Sequence, residues 1–169
     1  VGSLNQNKNH LFLIDVIEIL YTYNKKIILN IAGEGNQRVK IEKLIDEKKL
    51  KNNIILLGNI NSIEGYLWQS SIYVHAAKSE AFGLTLIEAM AAGLPVITLD
   101  GKGNRDLIEQ GKNGYMVFEE SPPLFAEKII ELWEDNNKYQ LMSQYASQYA
   151  KQFDIKPYID KLLYLYNQQ

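Results

Sequence analysis

The chain has 169 residues, 18 Lys and Arg against 20 Asp and Glu, a net charge of -2 and no cysteine. That length suits one domain with a real core, and the charge lacks the basic surplus of a nucleic-acid binder. The missing thiols exclude a disulfide scaffold, a zinc-thiolate site and a thiol nucleophile. His10 and His75 are the only imidazoles, so a histidine metal cluster is not expected. No apolar run is long enough to span a bilayer.

Val1 to Leu4 reads as the end of a buried strand. The chain is therefore expected to be part of a longer protein, and the lack of a leader carries no weight. Leu11, Ile14, Ile17 and Leu20 repeat at helical spacing, with Leu13 and Val16 widening the apolar face. A buried-type strand, Ile27 to Ala32, ends at Gly33, and a charged helical stretch follows from Gln37 to Leu50. Ile54 to Leu57 is the next strand, ending at Gly58, followed by a helix over Ile63 to Ser70 and a strand over Ile72 to Val74. Leu84 to Ala92 is helical, with Gly93 as its C-terminal cap. Pro95 to Thr98 is a strand, Arg105 to Gln110 a short helix and Tyr115 to Phe118 the last strand. Ser121 reads as an N-cap before Pro122 and Pro123, which a first turn tolerates. Helices then run to about Asn136, from Lys138 to Lys151 and from Asp154 to Asn167. The last carries the apolar stripe Tyr158, Leu162, Leu163 and Tyr166.

Alternation of apolar strands with amphipathic helices predicts an α/β, Rossmann-like doubly wound parallel sheet of about six strands with C-terminal helices. In such sheets ligands bind outside the carboxyl ends of the strands. That directs attention to residues 2–8, 33–38, 58–61, 76–84 and 100–106.

The fourth of these is the richest. Glu80 precedes the helix that starts at Leu84, and Glu88 lies inside it. The free amides of Gly83, Leu84 and Thr85 would form an anion site, and two carboxylates could grip the hydroxyls of two rings. Acidic residues also simply favour a helix start. Lys8 could set an ammonium beside a phosphate, with Gly2 and Ser3 as nearby donors, or be a solvated loop lysine. Gly33-Glu34-Gly35 begins like a dinucleotide fingerprint, but Arg38 occupies the third glycine position and the expected acidic residue is missing. Arg38 itself faces a phosphate or is a helix-surface charge. His75 meets a ligand or is packed at a strand end. Residues 101–106 are a flexible loop that covers a ligand, or a plain turn.

Five segments in order then carry a resemblance: VGSLNQNKNH, IAGEG, LLG, SEAFGLTLIEAMAAGLPVI and GKNGYMV. The chain resembles the C-terminal half of a group 1 (family 4) retaining glycosyltransferase with GT-B architecture. The most specific element is the pair Glu80 and Glu88 with seven residues between them. The resemblance covers nearly the whole chain, so residues 1–169 are expected to form the donor-binding domain, with the N-terminal acceptor domain lying outside it.

The resemblance implies a nucleotide-diphosphate sugar donor and no metal or other cofactor. It assigns Glu88 to the ribose hydroxyls, Glu80 to the donor sugar and reacting centre, and Lys8 to the phosphates. Glu80 and Lys8 are thus the expected catalytic pair. The backbone of Phe82, Gly83, Leu84 and Thr85 would meet sugar and diphosphate. Gly2, Ser3, Gly33, Gly58 and Ile60 are expected among the residues that bind the nucleotide sugar, with the base at the loop after Gly58, around Asn59 and Ile60. The family often has an arginine where Ser3 stands, and a proline-serine pair where Ala76-Ala77 stands. Transfer of a sugar with retention to a glycan or lipid-linked acceptor is expected of the whole protein, and binding without turnover of the fragment. Another GT-B enzyme, such as a sugar-nucleotide epimerase, and a non-catalytic nucleotide-binding module are the alternatives. Expected partners are the donor and the missing N-terminal domain, not nucleic acid. The expected location is cytoplasmic, or peripheral at the cytoplasmic membrane face through the missing domain or a lipid-linked acceptor.

Overall fold

A computed structural model describes residues 1–166, apart from the side chains of Tyr158, Asp160, Lys161, Leu162 and Leu165. Helix α1 (His10–Tyr23) turns Phe12, Leu13, Ile14, Val16, Ile17 and Leu20 inward. Strand β1 (Leu29–Ala32) pairs in parallel with β2 (Ile54–Gly58), Leu29 opposite Ile54, with α2 (Arg38–Glu47) as the crossover. After α3 (Glu64–Trp68) comes a second parallel sheet of β3 (Tyr73–His75), β4 (Val96–Leu99) and β5 (Gly114–Val117). Helix α4 (Leu84–Ala91) joins β3 to β4, and α5 (Pro122–Glu134), α6 (Asn136–Ala150) and α7 (Ile155–Tyr166) follow the last strand.

The α/β class with parallel strands is as expected, but two details differ. Among the described residues five strands form two sheets, ordered β1-β2 and β3-β4-β5. The expected first strand, Val1 to Leu4, is extended chain without a ladder of its own; its Gly2 and Leu4 amides donate to Ala32 O (2.9 Å) and Glu34 O (2.8 Å). The expected helix at Arg105 to Gln110 is a turn. Side chains take its backbone groups: Asn113 Nδ2 donates to Leu107 O at 2.8 Å, and Glu109 N donates to Asn113 Oδ1 at 2.9 Å. Such local bonds compete with a helix.

Helix ends follow residue chemistry closely. Gly93, at φ 80°, ends α4, with its amide on Met90 O (2.9 Å) and the Leu94 amide on Ala89 O (3.0 Å). This is the two-bond closure that favours glycine just past a helix. Ser121 stands before α5 in extended conformation but makes no side-chain cap bond. Pro123 removes one of the two amides such a cap could serve. Asp135 does cap α6, accepting from Lys138 N at 2.9 Å.

Two clusters form the core. One joins α1, β1, β2 and α5, where Phe12 meets Phe125 edge-on at 5.4 Å. The other gathers Leu86, Met90, Leu94, Leu107 and Ala146 between α4 and α6. On α7, Leu163 and Tyr166 are exposed; the Tyr158 and Leu162 side chains of the expected stripe lie outside the described ones.

Candidate functional site

Because strands within each sheet run parallel, their carboxyl-end loops gather at one edge of that sheet. The loop after Leu4 turns through Asn5, whose Oδ1 accepts from Lys8 N at 3.0 Å, and enters α1 at Asn9 in the left-handed region (φ 53°). Lys8 thereby lies over Gly2, where an added Cβ would sit 3.0 Å from Lys8 Cε.

The loop after β3 carries Glu80 to the same place. Asn7 ties the two loops, accepting from Lys78 N at 3.0 Å and donating through Nδ2 to Ser79 O at 2.8 Å. A third loop, after β4, closes on them: Glu80 N donates to Lys102 O at 2.8 Å. Gly103 (φ 86°) packs so closely that an added Cβ would overlap Glu80 O. Fully buried Asn104 pins that loop to its strand, Nδ2 donating to Thr98 Oγ1 (3.0 Å) and Leu99 O (3.2 Å).

At the junction Lys8 Nζ donates to Glu80 Oε1, each side chain 16% exposed. His75 Nε2 lies 3.1 Å from the same oxygen, not aligned for a hydrogen bond. Its ring is buried and stacked over Tyr73 at 6.2 Å. Burial lowers the His75 pKa to about 4, opposed in part by Glu80 and reinforced by Lys8, so the imidazole is neutral near pH 7. Burial raises the Tyr73 phenol, and the charges of Glu80 and Glu88 add to the rise. Both glutamates therefore lie within electrostatic reach of one hydroxyl.

Helix α4 begins beside this pair. Gly83, at φ 73° and ψ 34°, occupies the cap position without a capping side chain. Its left-handed geometry favours glycine, and a Cβ there would stand 2.7 Å from Leu107 Cδ1. Among the described residues, no backbone or side-chain acceptor takes the amides of Gly83, Leu84 or Thr85. Phe82, Leu84 and Glu88 are exposed and Thr85 is half-buried. An ammonium, a row of free amides and two carboxylates thus stand together, a set that can bind an anion flanked by hydroxyl groups. Among the described residues no group of three or more His, Asp and Glu is placed to hold a metal ion.

A family model described as glycosyl transferases group 1 matches residues 1–149. The chain belongs to this family. It is 28% identical over 169 residues to a poly(glycerol-phosphate) alpha-glucosyltransferase of Bacillus subtilis, covering 99% of this chain and 25% of that protein. To a poly(ribitol-phosphate) alpha-N-acetylglucosaminyltransferase of Staphylococcus aureus it is 35% identical over 121 residues, 71% of this chain and 24% of that one. The chain thus spans about a quarter of the length of these relatives. Among solved structures, the pneumococcal O-GlcNAc transferase GtfA in complex with UDP and GlcNAc superposes with a TM-score of 0.88 at 27% identity, over 99% of this chain and 35% of that one.

In this group 1 chain the expected site residues fall into two sets. Lys8, Glu80, Gly83, Leu84, Thr85 and Glu88 meet at the junction just described. Ser3 is exposed, its Oγ accepting from Asn5 Nδ2 at 2.7 Å. Gly33, Gly58 and Ile60 lie on the β1-β2 side. Close approach does occur at Gly33 (φ 138°), but what approaches is the chain: an added Cβ would overlap Gly2 O. Gly58 (φ 67°) faces Glu34 Oε1 at 3.1 Å from a built Cβ, and Ile60 is half-buried. Arg38 is a helix-surface charge, paired with Glu34 and with Glu42 (Nε to Oε1, 2.8 Å). Sequence reasoning passed over Asn7 and Asn104 and read residues 101–106 as mobile or plain. A Gly-Lys-Gly-Asn string signals a turn, and nothing local in it announces that Gly103 and Asn104 brace Glu80.

Proposed function

We propose that this chain is the donor-binding domain of a retaining glycosyltransferase that moves a sugar from a nucleoside-diphosphate sugar to an acceptor. The observation that carries the reading is the meeting of Lys8 and Glu80 beside the uncapped start of α4. The relatives support it, since their names describe glucosyl and N-acetylglucosaminyl transfer and the pneumococcal enzyme is seen with UDP and GlcNAc.

The chemistry follows from where charge develops. As the bond from the anomeric carbon to the diphosphate breaks, the sugar becomes oxocarbenium-like and the leaving diphosphate gains negative charge. Lys8 and the amides of Gly83, Leu84 and Thr85 stabilise that charge most when it is fully developed, which lowers the barrier. Glu80 holds the donor sugar, and on entry of the diphosphate it shares Lys8 with the new anion. Glu88, on the exposed side of the helix, takes the ribose hydroxyls. Attack by the acceptor hydroxyl on the face the diphosphate leaves, with its proton passing to the departing phosphate oxygen, gives retention without an enzyme nucleophile. Fixed protein charges do this work in our reading, with no metal ion. The acceptor binds on a further domain of the whole protein, and a lipid-linked acceptor would bring the enzyme to the cytoplasmic membrane face.

The test is calorimetry of the whole protein against UDP-, GDP- and ADP-sugars, followed by NMR of the product anomer. One donor is expected to bind and to give a product of unchanged configuration. Binding of none of them, or an inverted product, would overturn the reading.

A further inference from the structure

A depression of about 400 Å³, within the range of small-molecule sites, lies at the C-terminal end of α4. Gly83 and the Lys8–Glu80 pair stand at the other end of that helix, ~12 Å away by its rise per residue. Three elements line the depression. Trp68, the last residue of α3, is 74% exposed there. Ala91, Ala92 and Gly93 contribute the end of α4. One face of α6 and its C-terminal cap supply Ser143, Gln144, Ser147, Gln148 and Lys151, spaced so that they lie along one side of the helix.

Each surface makes a different demand. Trp68 offers an apolar indole. The end of α4 offers acceptors. Gly93 O takes the Ser143 hydroxyl at 2.6 Å, which fixes α6 to this helix end. Among the described residues no amide reaches Ala91 O, and the residue four places on is Pro95, which has no N–H. Free carbonyls and the negative end of the helix dipole attract donors and repel anions. On α6 the side chains of Gln144, Ser147 and Gln148 have no hydrogen-bond partner among the described residues, and each carries both a donor and an acceptor.

Few ligands meet all three demands. An anion is repelled by the end of α4 and finds one ammonium, that of Lys151. A wholly apolar ligand takes water from the glutamine amides and returns no hydrogen bond. A sugar ring fits. One face of a pyranose is a sheet of C–H groups that packs on an indole, and its edge carries hydroxyls that donate to carbonyls and bond to amides in both directions.

We propose that this depression is a carbohydrate-binding subsite that takes a pyranose ring of a glycan chain, with Trp68 as the stacking surface and Gln144 and Gln148 as hydrogen-bonding partners. It takes no part in bond breaking, so the inference stands whichever donor the Lys8–Glu80 junction holds.

Fluorine NMR of the whole protein labelled with fluorotryptophan tests it, with maltose and chitobiose as probes. Loss of one resonance in Trp68→Phe assigns the signal. One of the disaccharides is expected to move that resonance to saturation in the millimolar range, equally with and without UDP, while glycerol leaves it in place. Gln144→Ala and Gln148→Ala should each weaken this binding about fivefold, the effect of one lost hydrogen bond. The thermal midpoint should hold, because both side chains are exposed. A resonance that neither disaccharide moves, or that glycerol moves equally, would overturn the proposal. So would a shift that UDP abolishes, which belongs to the donor junction, or binding indifferent to both glutamines. A resonance that moves with protein concentration alone would put a second copy on Trp68 and overturn it as well.

Discussion

Lys8 and Glu80, 72 residues apart in sequence, close an ion pair in which each side chain is only 16% exposed. The pair holds the ammonium at the start of α4, where a diphosphate would arrive, and keeps it from lying unpaired while the site is empty. Loss of Lys8 should therefore act on the charged transition state. In the whole protein Lys8→Ala is expected to lower kcat/KM about 100- to 1000-fold, the range for loss of one preorganised donor. Steady-state kinetics with the donor found by calorimetry measure this. A loss under about tenfold would remove Lys8 from the charge-stabilising role.

Glu88 offers a cleaner separation of binding from folding, because its side chain is exposed. Glu88→Ala should weaken nucleotide binding by about 1–3 kcal/mol, the worth of charged hydrogen bonds. The thermal midpoint should barely change, as for other exposed substitutions. Calorimetry that finds affinity unchanged would take the ribose away from Glu88.

The two glycines Gly103 (φ 86°) and Gly111 (φ 76°) share a left-handed backbone but not their surroundings. A Cβ at Gly103 overlaps Glu80 O, whereas one at Gly111 meets nothing within 4 Å. Gly111→Ala should cost about 1–2 kcal/mol of stability, the backbone effect alone. Gly103→Ala should cost more and also weaken donor binding, since Glu80 must move. Denaturant melts and donor titrations of both variants would show it, and equal effects would mean that the loop does not brace Glu80.

Burial holds His10 and His75 at a pKa of about 4, below their ordinary value of 6.5. Between those values the unfolded chain binds protons that the folded one refuses, so acid favours unfolding. The histidine contribution to stability should be level above about pH 6.5 and fall as the pH drops toward 4. Urea melts across that range check the slope, and His75→Gln should flatten it. A slope unchanged by that substitution would assign the loss to other groups.

Much of the architecture is legible in local pattern. Apolar strands alternating with amphipathic helices announce parallel sheets, and Gly93 marks a helix end because only glycine closes it without strain. The spacing of Glu80 and Glu88 around Gly83 places two carboxylates on either side of a helix start, a matter of helix geometry alone. Those features depend on residues close together in sequence, which is the range that periodicity and capping report.

Contacts between distant segments decided the rest. Nothing near Lys8 in sequence names Glu80 as its partner, and nothing near Gly103 says that its missing side chain makes room for the Glu80 carbonyl. The segment 105–110 has helical composition but turns, because the Asn113 side chain captures its backbone groups. Gly33 looks open to a ligand until the Gly2 carbonyl is found against it. Sequence by itself determined the kinds of element and the chemistry available to the site. Tertiary packing determined which groups meet, because burial and close approach depend on the whole arrangement of the chain.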